Sequence, residues 1–177
     1  MYNLRLHGEI VDKTAIAAYE ANPEKGTLDV RILMPDDYLK IDVRPEQREF
    51  YSSLESNYAF KEHMVRNSVY GFNVTSEEKT ILVGGFLPHH KHSAYAWLLV
   101  DKSFPEQFKQ NPRGWVVGLK KLTSLLPFER VETDVLVDFK EGHNLMRLLG
   151  FKKEGLMIKS GPGKEDQCKY ALIKETE

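Results

Sequence analysis

The sequence contains very little cysteine, since Cys168 is the only one among 177 residues. An internal disulfide is therefore impossible, and a zinc site built from several cysteines is excluded. Three histidines, His89, His90 and His92, lie close together, but no cysteine or carboxylate accompanies them in their polar connection, and we expect no metal site. This cysteine usage is typical of a reducing compartment, so we expect a cytoplasmic location.

Long apolar runs and a strong net charge are also missing. No apolar run approaches the roughly 20 residues that a membrane-spanning helix needs. The start, MYNLRLHGEI, lacks the apolar core of a secretory signal. With 25 Lys and Arg against 26 Asp and Glu, the formal net charge is −1. Such a chain has no overall field that attracts nucleic acid or an anionic membrane, and we expect neither as a partner.

The length and the patterns of the chain favour one main domain with a small extension. Residues 1–27 predict a short strand and then a helix, which we expect to pack on the core as an N-terminal extension. Residues 28–177 carry the patterns of the main domain, and no linker or internal repeat divides them. The composition, 41% apolar and 29% charged, is that of an ordinary folded domain.

The spacing of apolar residues changes several times along the main domain. Alternation of apolar and polar residues predicts strands, and apolar residues three, four and seven apart predict amphipathic helices. The predicted strands cover residues 28–32, 69–75, 80–87, 94–100, 131–137, 156–159 and 168–173. The predicted helices are a longer one that begins at Pro45 and two more at residues 115–126 and 141–149, with a single helical turn at 35–40 and a short helix at 58–65. Short polar connections join the second, third and fourth strands, which predicts an antiparallel meander.

One stretch at the end of the second long helix carries a recognisable pattern. Residues 144–155 read NLMRLLGFKKEG, a helix that ends in Leu-Gly-Phe and is followed by an acid and a glycine. Gly150 permits the left-handed end of the helix, Phe151 fills the core beneath it, and Gly155 lets the chain turn into the next strand. Together with the order of elements, this pattern resembles the GCN5-related N-acetyltransferase (GNAT) superfamily.

The resemblance implies an α+β fold with three layers. Its central sheet is expected to be mixed and mostly antiparallel, with about seven strands, helices on both faces, and strands four and five splayed apart. The segments AWLLVD at 96–101 and RGWV at 113–116, with PDD at 35–37 and SL at 53–54, are also similar to acetyltransferase-like proteins of tailed bacteriophages. This similarity implies a phage-encoded protein that works in the cytoplasm of its host.

The resemblance also implies that acetyl-CoA is the cofactor. Its pantetheine arm would lie between the splayed strands and bond to main-chain groups of the fourth strand, where side-chain identity matters little. The residues expected to supply this edge are Trp97, Leu98, Leu99 and Val100.

The diphosphate of the cofactor is expected at the start of the next helix, because free N–H groups and the helix dipole attract anions there. Arg113, Gly114 and Trp115 are the candidates, although the loop departs from the glycine-rich pattern of the superfamily. Gly142 on the later helix would allow the cofactor a close approach. For Arg113 and Gly142 the alternative is an ordinary helix start.

The side chains that the superfamily commonly uses for catalysis are not present. The fourth strand, SAYAWLL at 93–99, has no carboxylate, and Met146 stands where a tyrosine is common. The substitutes are Tyr95 on the strand and His143 and Asn144 on the later helix, because a tyrosine or a histidine can transfer a proton. The alternatives are a packed core tyrosine and an exposed histidine.

These features predict an acetyl-CoA-dependent N-acetyltransferase that acts on an amine of a protein or a small molecule. Loss of the usual catalytic groups does not forbid the reaction, because holding amine and thioester together supplies much of the rate. A second function class stays open, namely a weak or inactive protein of the same fold that binds and modulates a host protein. We expect a monomer or a homodimer.

Overall fold

One mixed sheet of seven strands lies at the centre of the described residues. The computed structural model describes residues 28–57, 59 and 62–174, so the predicted extension at 1–27 lies outside the described residues. The strands are β1 (Leu28–Ile32), β2 (Val69–Ser76), β3 (Lys79–His90), β4 (Ser93–Val100), β5 (Arg130–Leu136), β6 (Lys152–Met157) and β7 (Gln167–Ile173). They lie in the order β1-β2-β3-β4-β5-β7-β6. β4 and β5 run parallel and the other neighbouring pairs run antiparallel, which confirms the predicted fold class.

Four α-helices flank the sheet in the described part of the chain. They are α1 (Arg48–Ser56), α2 (Phe104–Gln110), α3 (Pro112–Leu125) and α4 (Lys140–Leu149). Shorter helical turns cover Asp37–Lys40, Pro45–Gln47 and Glu62–Arg66. None of these helices is long and apolar enough to cross a membrane.

Most predicted elements are confirmed, but α2 and the start of β6 were not predicted. α2 has only seven residues and packs Phe104 and Phe108 against the core, so its pattern is too short to indicate a helix. β6 begins at Lys152, whereas the prediction began at residue 156. It lies at the edge of the sheet and its first three residues are exposed, so they show no apolar alternation.

β3 is longer than predicted and runs through His90. The sequence places residues 88–92 in a loop because they are polar and include Pro88. In the structure, β2 starts opposite Phe86, so Pro88 lies beyond the end of that neighbour and does not interrupt its ladder. The connection to β4 is therefore a tight turn at residues 91–92.

The end of α4 has the predicted geometry. Gly150 has a φ of +94°, which is the left-handed region, and its N–H bonds to the Arg147 carbonyl at 3.1 Å. The Phe151 N–H bonds to the Met146 carbonyl at 2.9 Å, and the Phe151 side chain is buried. Gly155 differs from its prediction, because it lies inside β6 at a register shift and not at a turn.

The two faces of the sheet carry separate clusters of buried apolar residues. On the side of α3 and α4, the cluster contains Val100 with Leu98 packed against it. On the side of α1, the cluster contains Trp97 and Leu99, and Tyr95 packs against it. Successive residues of β4 therefore point to opposite faces, and the strand is covered on both sides.

A buried carboxylate fixes the segment that follows β4. Asp101 is fully buried, and its oxygens accept the Lys79 ammonium at 2.7 Å and the Ser103 N–H at 2.8 Å. It also accepts the Asp42 N–H at 3.2 Å, while Val43 forms a β-bridge with Asp101. The segment around residues 42–44 is thereby held along the end of β4.

Candidate functional site

β4 and β5 lie side by side for only a short distance. Their paired residues are Ser93 with Arg130, Ala94 with Val131 and Tyr95 with Glu132. β4 continues to Val100 and β5 to Leu136, and these continuations do not pair with each other in the described chain. The predicted separation of the fourth and fifth strands is confirmed, and a gap opens after Tyr95.

A cavity of about 350 Å³ occupies this gap, and its lining is mainly apolar. The strands contribute Tyr95, Ala96, Trp97, Leu98 and Val100 from β4 and Thr133, Asp134, Val135 and Leu136 from β5. Further walls come from α1, α2 and α4, including Phe50, Phe108 and Met146. A slender and largely apolar ligand therefore fits between the strands, with polar contacts at a few fixed points.

The cavity brings together six of the eleven residues that the sequence predicts for the site. These six are Tyr95, Trp97, Leu98, Val100, Gly142 and Asn144. The other five lie outside its lining in the described chain, and they are Leu99, Arg113, Gly114, Trp115 and His143. Leu99 is fully buried in the cluster on the α1 side, and Trp115 packs edge-on against Phe104 with ring centroids 5.0 Å apart.

The side chain of Gln47 occupies part of the β4 edge that faces the gap. Its Nε2 donates to the Leu98 carbonyl at 2.6 Å, and its Oε1 accepts the Val100 N–H at 2.8 Å. The Val100 carbonyl accepts the Arg44 N–H at 3.2 Å. This part of β4 is therefore bonded within the protein, and a ligand that uses the same groups must displace Gln47.

The start of α3 is also bonded from within. The Asn111 Oδ1 accepts the Gly114 N–H at 3.0 Å, and the Trp115 N–H bonds to the Asn111 carbonyl at 3.2 Å. Pro112 has no N–H to offer. Within the described chain, the main-chain donor of this turn that stays open to an anion is the N–H of Arg113, whose side chain is exposed.

Asp134 on β5 faces Tyr95 on β4 where the two strands separate. Tyr95 and the Asp134 carboxylate lie close enough to interact, and Lys169 Nζ lies 3.3 Å from Asp134 Oδ1. Burial raises the pKa of Asp134 above its usual range, even with Lys169 nearby. Burial and the charge of Asp134 also raise the pKa of Tyr95 far above its ordinary value, so Tyr95 stays protonated at neutral pH.

Both ring nitrogens of His143 are engaged away from the cavity. Nδ1 lies 2.8 Å from the Tyr170 hydroxyl, and Nε2 lies 2.9 Å from the Val137 carbonyl. A carbonyl only accepts, so Nε2 carries a proton. The histidine thus joins α4 to β7 and to the end of β5. Asn144, the next residue, lines the cavity and accepts a hydrogen bond from Arg147 at 3.0 Å.

Asp134 was not predicted as a site residue because only the apolar alternation of residues 131–137 was used to predict this strand. Glu132 pairs with Tyr95, and residues two apart on a strand share a face, so Asp134 lies on the Tyr95 side of the sheet. The alternation that predicted β5 therefore also contained this information. To use this information, one must know which residue of β4 lies beside Glu132. That register cannot be deduced from a single sequence.

Solved structures have a similar fold. Ard1 from Thermoplasma volcanium superposes with a TM-score of 0.61 at 13% identity, covering 84% of this chain and 99% of the other. An acetyltransferase of the GNAT family from Bacillus anthracis gives 0.56 at 15% identity, covering 86% and 98%. RimL, a ribosomal L7/L12 α-N-protein acetyltransferase in complex with coenzyme A, gives 0.57 at 17% identity, covering 87% and 97%.

Neither a protein-family model nor a curated protein sequence matches the chain. At identities of 13 to 17% the likeness to solved structures shows the fold alone. The chain has the GNAT fold, with the parallel pair β4 and β5 parting at its centre.

Proposed function

We propose that the chain is an acetyl-CoA-dependent N-acetyltransferase. The observation that carries the proposal is the gap between β4 and β5 with its cavity of about 350 Å³. Solved proteins of the same fold support it, because several are named acetyltransferases and one is in complex with CoA. The acceptor is an amine of a protein or of a small molecule.

The residues around the gap fit the acetyl-pantetheine part of the cofactor. Ala96 and Leu98 on β4 and Val135 on β5 form an apolar wall for a narrow chain. The polar main-chain groups of Leu98 and Val100 face the gap and can bond to an amide of the arm once Gln47 leaves them. When bound, acetyl-CoA supplies an acetyl group activated as a thioester.

The diphosphate fits the corner where α2 ends and α3 begins. Lys109 lines the cavity near the end of α2, and Arg113 lies in the first turn of α3. Arg113 offers a charged fork and a main-chain N–H, both of which suit a phosphate. Gly114 and Trp115 contribute less than expected from the sequence, because their N–H groups are bonded to Asn111.

The remaining roles fall to residues that shape the cavity. Trp97, Phe50 and Phe108 give it apolar walls, which keep water from the thioester. Holding the amine against the thioester in such a cavity supplies a large part of the rate. Tyr95 and Asn144 line the same space and are the proposed polar contacts of the reacting groups.

A titration of the thermal unfolding midpoint with acetyl-CoA tests the proposal. A ligand that binds the native state alone raises the midpoint as its concentration increases. We expect a rising midpoint, followed by release of free CoA thiol when candidate amines are added. An unchanged midpoint at millimolar acetyl-CoA contradicts the proposal.

The cofactor orientation is tested with Arg113→Ala and two ligands. We expect this variant to bind CoA about tenfold more weakly, because a charge-assisted contact to the diphosphate is lost. Pantetheine lacks the diphosphate and should bind wild type and variant equally. Equal CoA affinities would place the diphosphate elsewhere.

One observation favours a second candidate function. Gln47 bonds both polar groups that a pantetheine arm would use, and Asn111 bonds the Gly114 N–H at the start of α3. Because these hydrogen bonds take the place of those to a cofactor, the fold does not need a cofactor. This is what we expect of a domain that only binds a host protein. The acetyl-CoA titration separates the two candidates. If the chain only binds a host protein, its unfolding midpoint should not change when acetyl-CoA is added.

A further inference from the structure

β5 places a carboxylate in the cavity at the point where the two strands separate. Asp134 lies two residues beyond Glu132, the last residue of β5 that pairs with β4. It shares a face of the sheet with Tyr95, since residues two apart on a strand point to the same side. Its side chain is 15% exposed and lines the cavity. A molecule that reaches the start of the gap therefore meets Asp134.

One oxygen of this carboxylate has room for another donor. Asp134 Oδ1 is buried and accepts no hydrogen bond from the described residues. Lys169 Nζ lies 3.3 Å from it but also bonds to Glu132 Oε2 at 3.2 Å, so one positive charge is shared between two carboxylates. A buried acceptor without a hydrogen bond is costly, and a cationic N–H donor would satisfy it.

The charges around the cavity favour a positively charged ligand. The acids in its lining are Glu46, Glu49, Asp134, Glu141 and Glu165, and the bases are Arg44 and Lys109. Arg44 is within ion-pair distance of both Glu46 and Glu141. A cavity with more acids than bases in its walls attracts cations.

The groups that bear on the titration of Asp134 come from several elements. From β4 it meets Tyr95, whose ring stacks on His89 with centroids 6.0 Å apart. Lys169 on β7 and Glu132 on its own strand complete its immediate surroundings. Across the cavity, the further charged residues are Glu46, Glu49, Glu141, Glu165, Arg44 and Lys109.

We propose that Asp134 binds the acceptor amine as an ammonium ion and takes one of its protons. This inference rests on the proposed acetyl transfer. The carboxylate accepts a proton from R–NH₃⁺, and the freed nitrogen lone pair forms a bond to the acetyl carbon while the carbon–sulfur bond breaks. The sulfur leaves with the bonding electron pair and takes a second proton from the nitrogen. The products are the amide and the CoA thiol, and Asp134 returns its proton to solvent.

The position of Asp134 suits a base of this kind. Burial raises its pKa, and a base whose pKa is closer to the working pH removes a proton more effectively. β4 offers only Tyr95 on this side of the gap start, and the raised pKa of Tyr95 keeps it protonated. The carboxylate that β4 lacks is therefore supplied from β5.

The test compares Asp134→Asn with wild type on two amines of similar size, ethylamine and 2,2,2-trifluoroethylamine. Ethylamine is charged at neutral pH, whereas the fluorinated amine is mostly uncharged. We expect the variant to bind acetyl-CoA within twofold of wild type and to lose about 100-fold in kcat/KM for ethylamine. The loss should be several times smaller for the fluorinated amine, because it arrives without the extra proton. The residual ethylamine rate should rise with pH up to the pKa of the amine.

Glu132→Gln is the matched control, since Glu132 is the neighbouring carboxylate on the same face and lies outside the cavity lining. It should lose far less of the ethylamine rate than Asp134→Asn does, although its pH profile shifts because Glu132 bears on the titration of Asp134. Asp134→Glu should restore part of the rate that Asp134→Asn loses. Equal losses for both amines, or an Asp134→Asn enzyme as fast as wild type, would overturn the role of Asp134 but not the proposed acetyl transfer. A wild type that binds acetyl-CoA but acetylates neither amine also overturns it, whereas a wild type that binds no acetyl-CoA contradicts the proposed function.

Discussion

The side-chain amide of Gln47 bonds to the main chain of Leu98 as a strand would. Its Nε2 donates to the Leu98 carbonyl at 2.6 Å, while its Oε1 accepts the next N–H on the same edge, from Val100, at 2.8 Å. One side chain thus satisfies a donor and an acceptor of β4 at the place where the neighbouring strand β5 has moved away. A cofactor arm that bonds to this edge competes with Gln47 for both groups.

Replacing Gln47 with alanine should therefore strengthen cofactor binding. Each of the two hydrogen bonds that the ligand no longer displaces is worth about 1 kcal/mol net, and a gain of 1.4 kcal/mol is tenfold in affinity. The two bonds together are worth about 2 kcal/mol, so we expect Gln47→Ala to bind acetyl-CoA about 30-fold more tightly in a calorimetric titration. The free protein should at the same time unfold at a lower temperature, because β4 has lost two partners.

Arg48→Ala serves as the control for Gln47→Ala, because Arg48 is the exposed next residue and lies outside the cavity lining. It should change neither the affinity nor the unfolding temperature. Weaker or unchanged binding by Gln47→Ala would mean that the ligand does not use the polar groups of Leu98 and Val100.

His143 is expected to stabilise the fold more than it serves the reaction. Its two ring nitrogens lie 2.8 Å from the Tyr170 hydroxyl and 2.9 Å from the Val137 carbonyl. Removing the ring leaves both partners without their bond, and His143→Ala should lower the free energy of unfolding by about 1–3 kcal/mol. The rate of acetyl transfer, measured below the unfolding range, should stay within twofold of wild type.

Tyr170→Phe removes the other partner of the same hydrogen bond and should lower the stability in the same direction. The double variant should lose less than the sum of the single losses, because the two side chains share one interaction. A large loss of rate in His143→Ala, with little loss of stability, would instead support a catalytic histidine.

Local signals made the fold predictable, while contacts between distant residues decided the site. Gly150 and Phe151 are adjacent in sequence, and their pattern specifies the end of α4 without further information. Gln47 and Leu98 are 51 residues apart, and no periodicity in either segment indicates that they meet. Asp134 needed the register of β4 against β5, which depends on how the whole sheet packs.

The start of β6 was predicted too late for a physical reason. β6 begins with Lys152, Lys153 and Glu154, which are exposed because the strand lies at the sheet edge. Such residues give no apolar alternation, although their main chain pairs with β7 as in any other strand. Hydrogen bonding, and not side-chain burial, defines this part of the sheet.

Gly142 should tolerate no side chain. A Cβ at this position would lie 2.7 Å from Phe139 Cδ1 and 2.8 Å from the γ-methyl of Val135, which is buried in β5. Gly142→Ala must therefore move α4 away from β5, and overpacking of this kind costs about 1–3 kcal/mol. We expect this loss in urea denaturation, together with weaker acetyl-CoA binding, because Gly142 lines the cavity.

Gly155→Ala is the matched glycine control, since a Cβ there meets nothing within 4 Å. It should leave both stability and binding close to those of wild type. If Gly142→Ala behaves like Gly155→Ala, α4 and β5 are not in close contact at this point in solution.

Asp37 should make the protein sensitive to strong acid. Its fully buried carboxylate accepts two Arg31 guanidinium N–H groups at 2.6 and 2.5 Å and the Met34 N–H at 2.7 Å. Burial opposes the charged form, but these bonds outweigh it and lower the pKa of Asp37 to about 2 from its ordinary 3.8. The folded state therefore holds this proton less tightly than the unfolded chain does, which stabilises the fold wherever the carboxylate is ionised.

This contribution should be complete above about pH 4, the pKa of an unfolded aspartate, and should be lost as the pH falls towards 2. A shift of this size corresponds to about 2 kcal/mol, since one pKa unit is worth about 1.4 kcal/mol. We measure the free energy of unfolding in urea from pH 6 to pH 2. We expect it to decrease by about 2 kcal/mol more for wild type than for Asp37→Asn. Arg31→Ala should remove most of the same difference, because it withdraws the donors that keep the carboxylate ionised. Parallel pH profiles for wild type and Asp37→Asn would show that the buried pair does not couple folding to this proton.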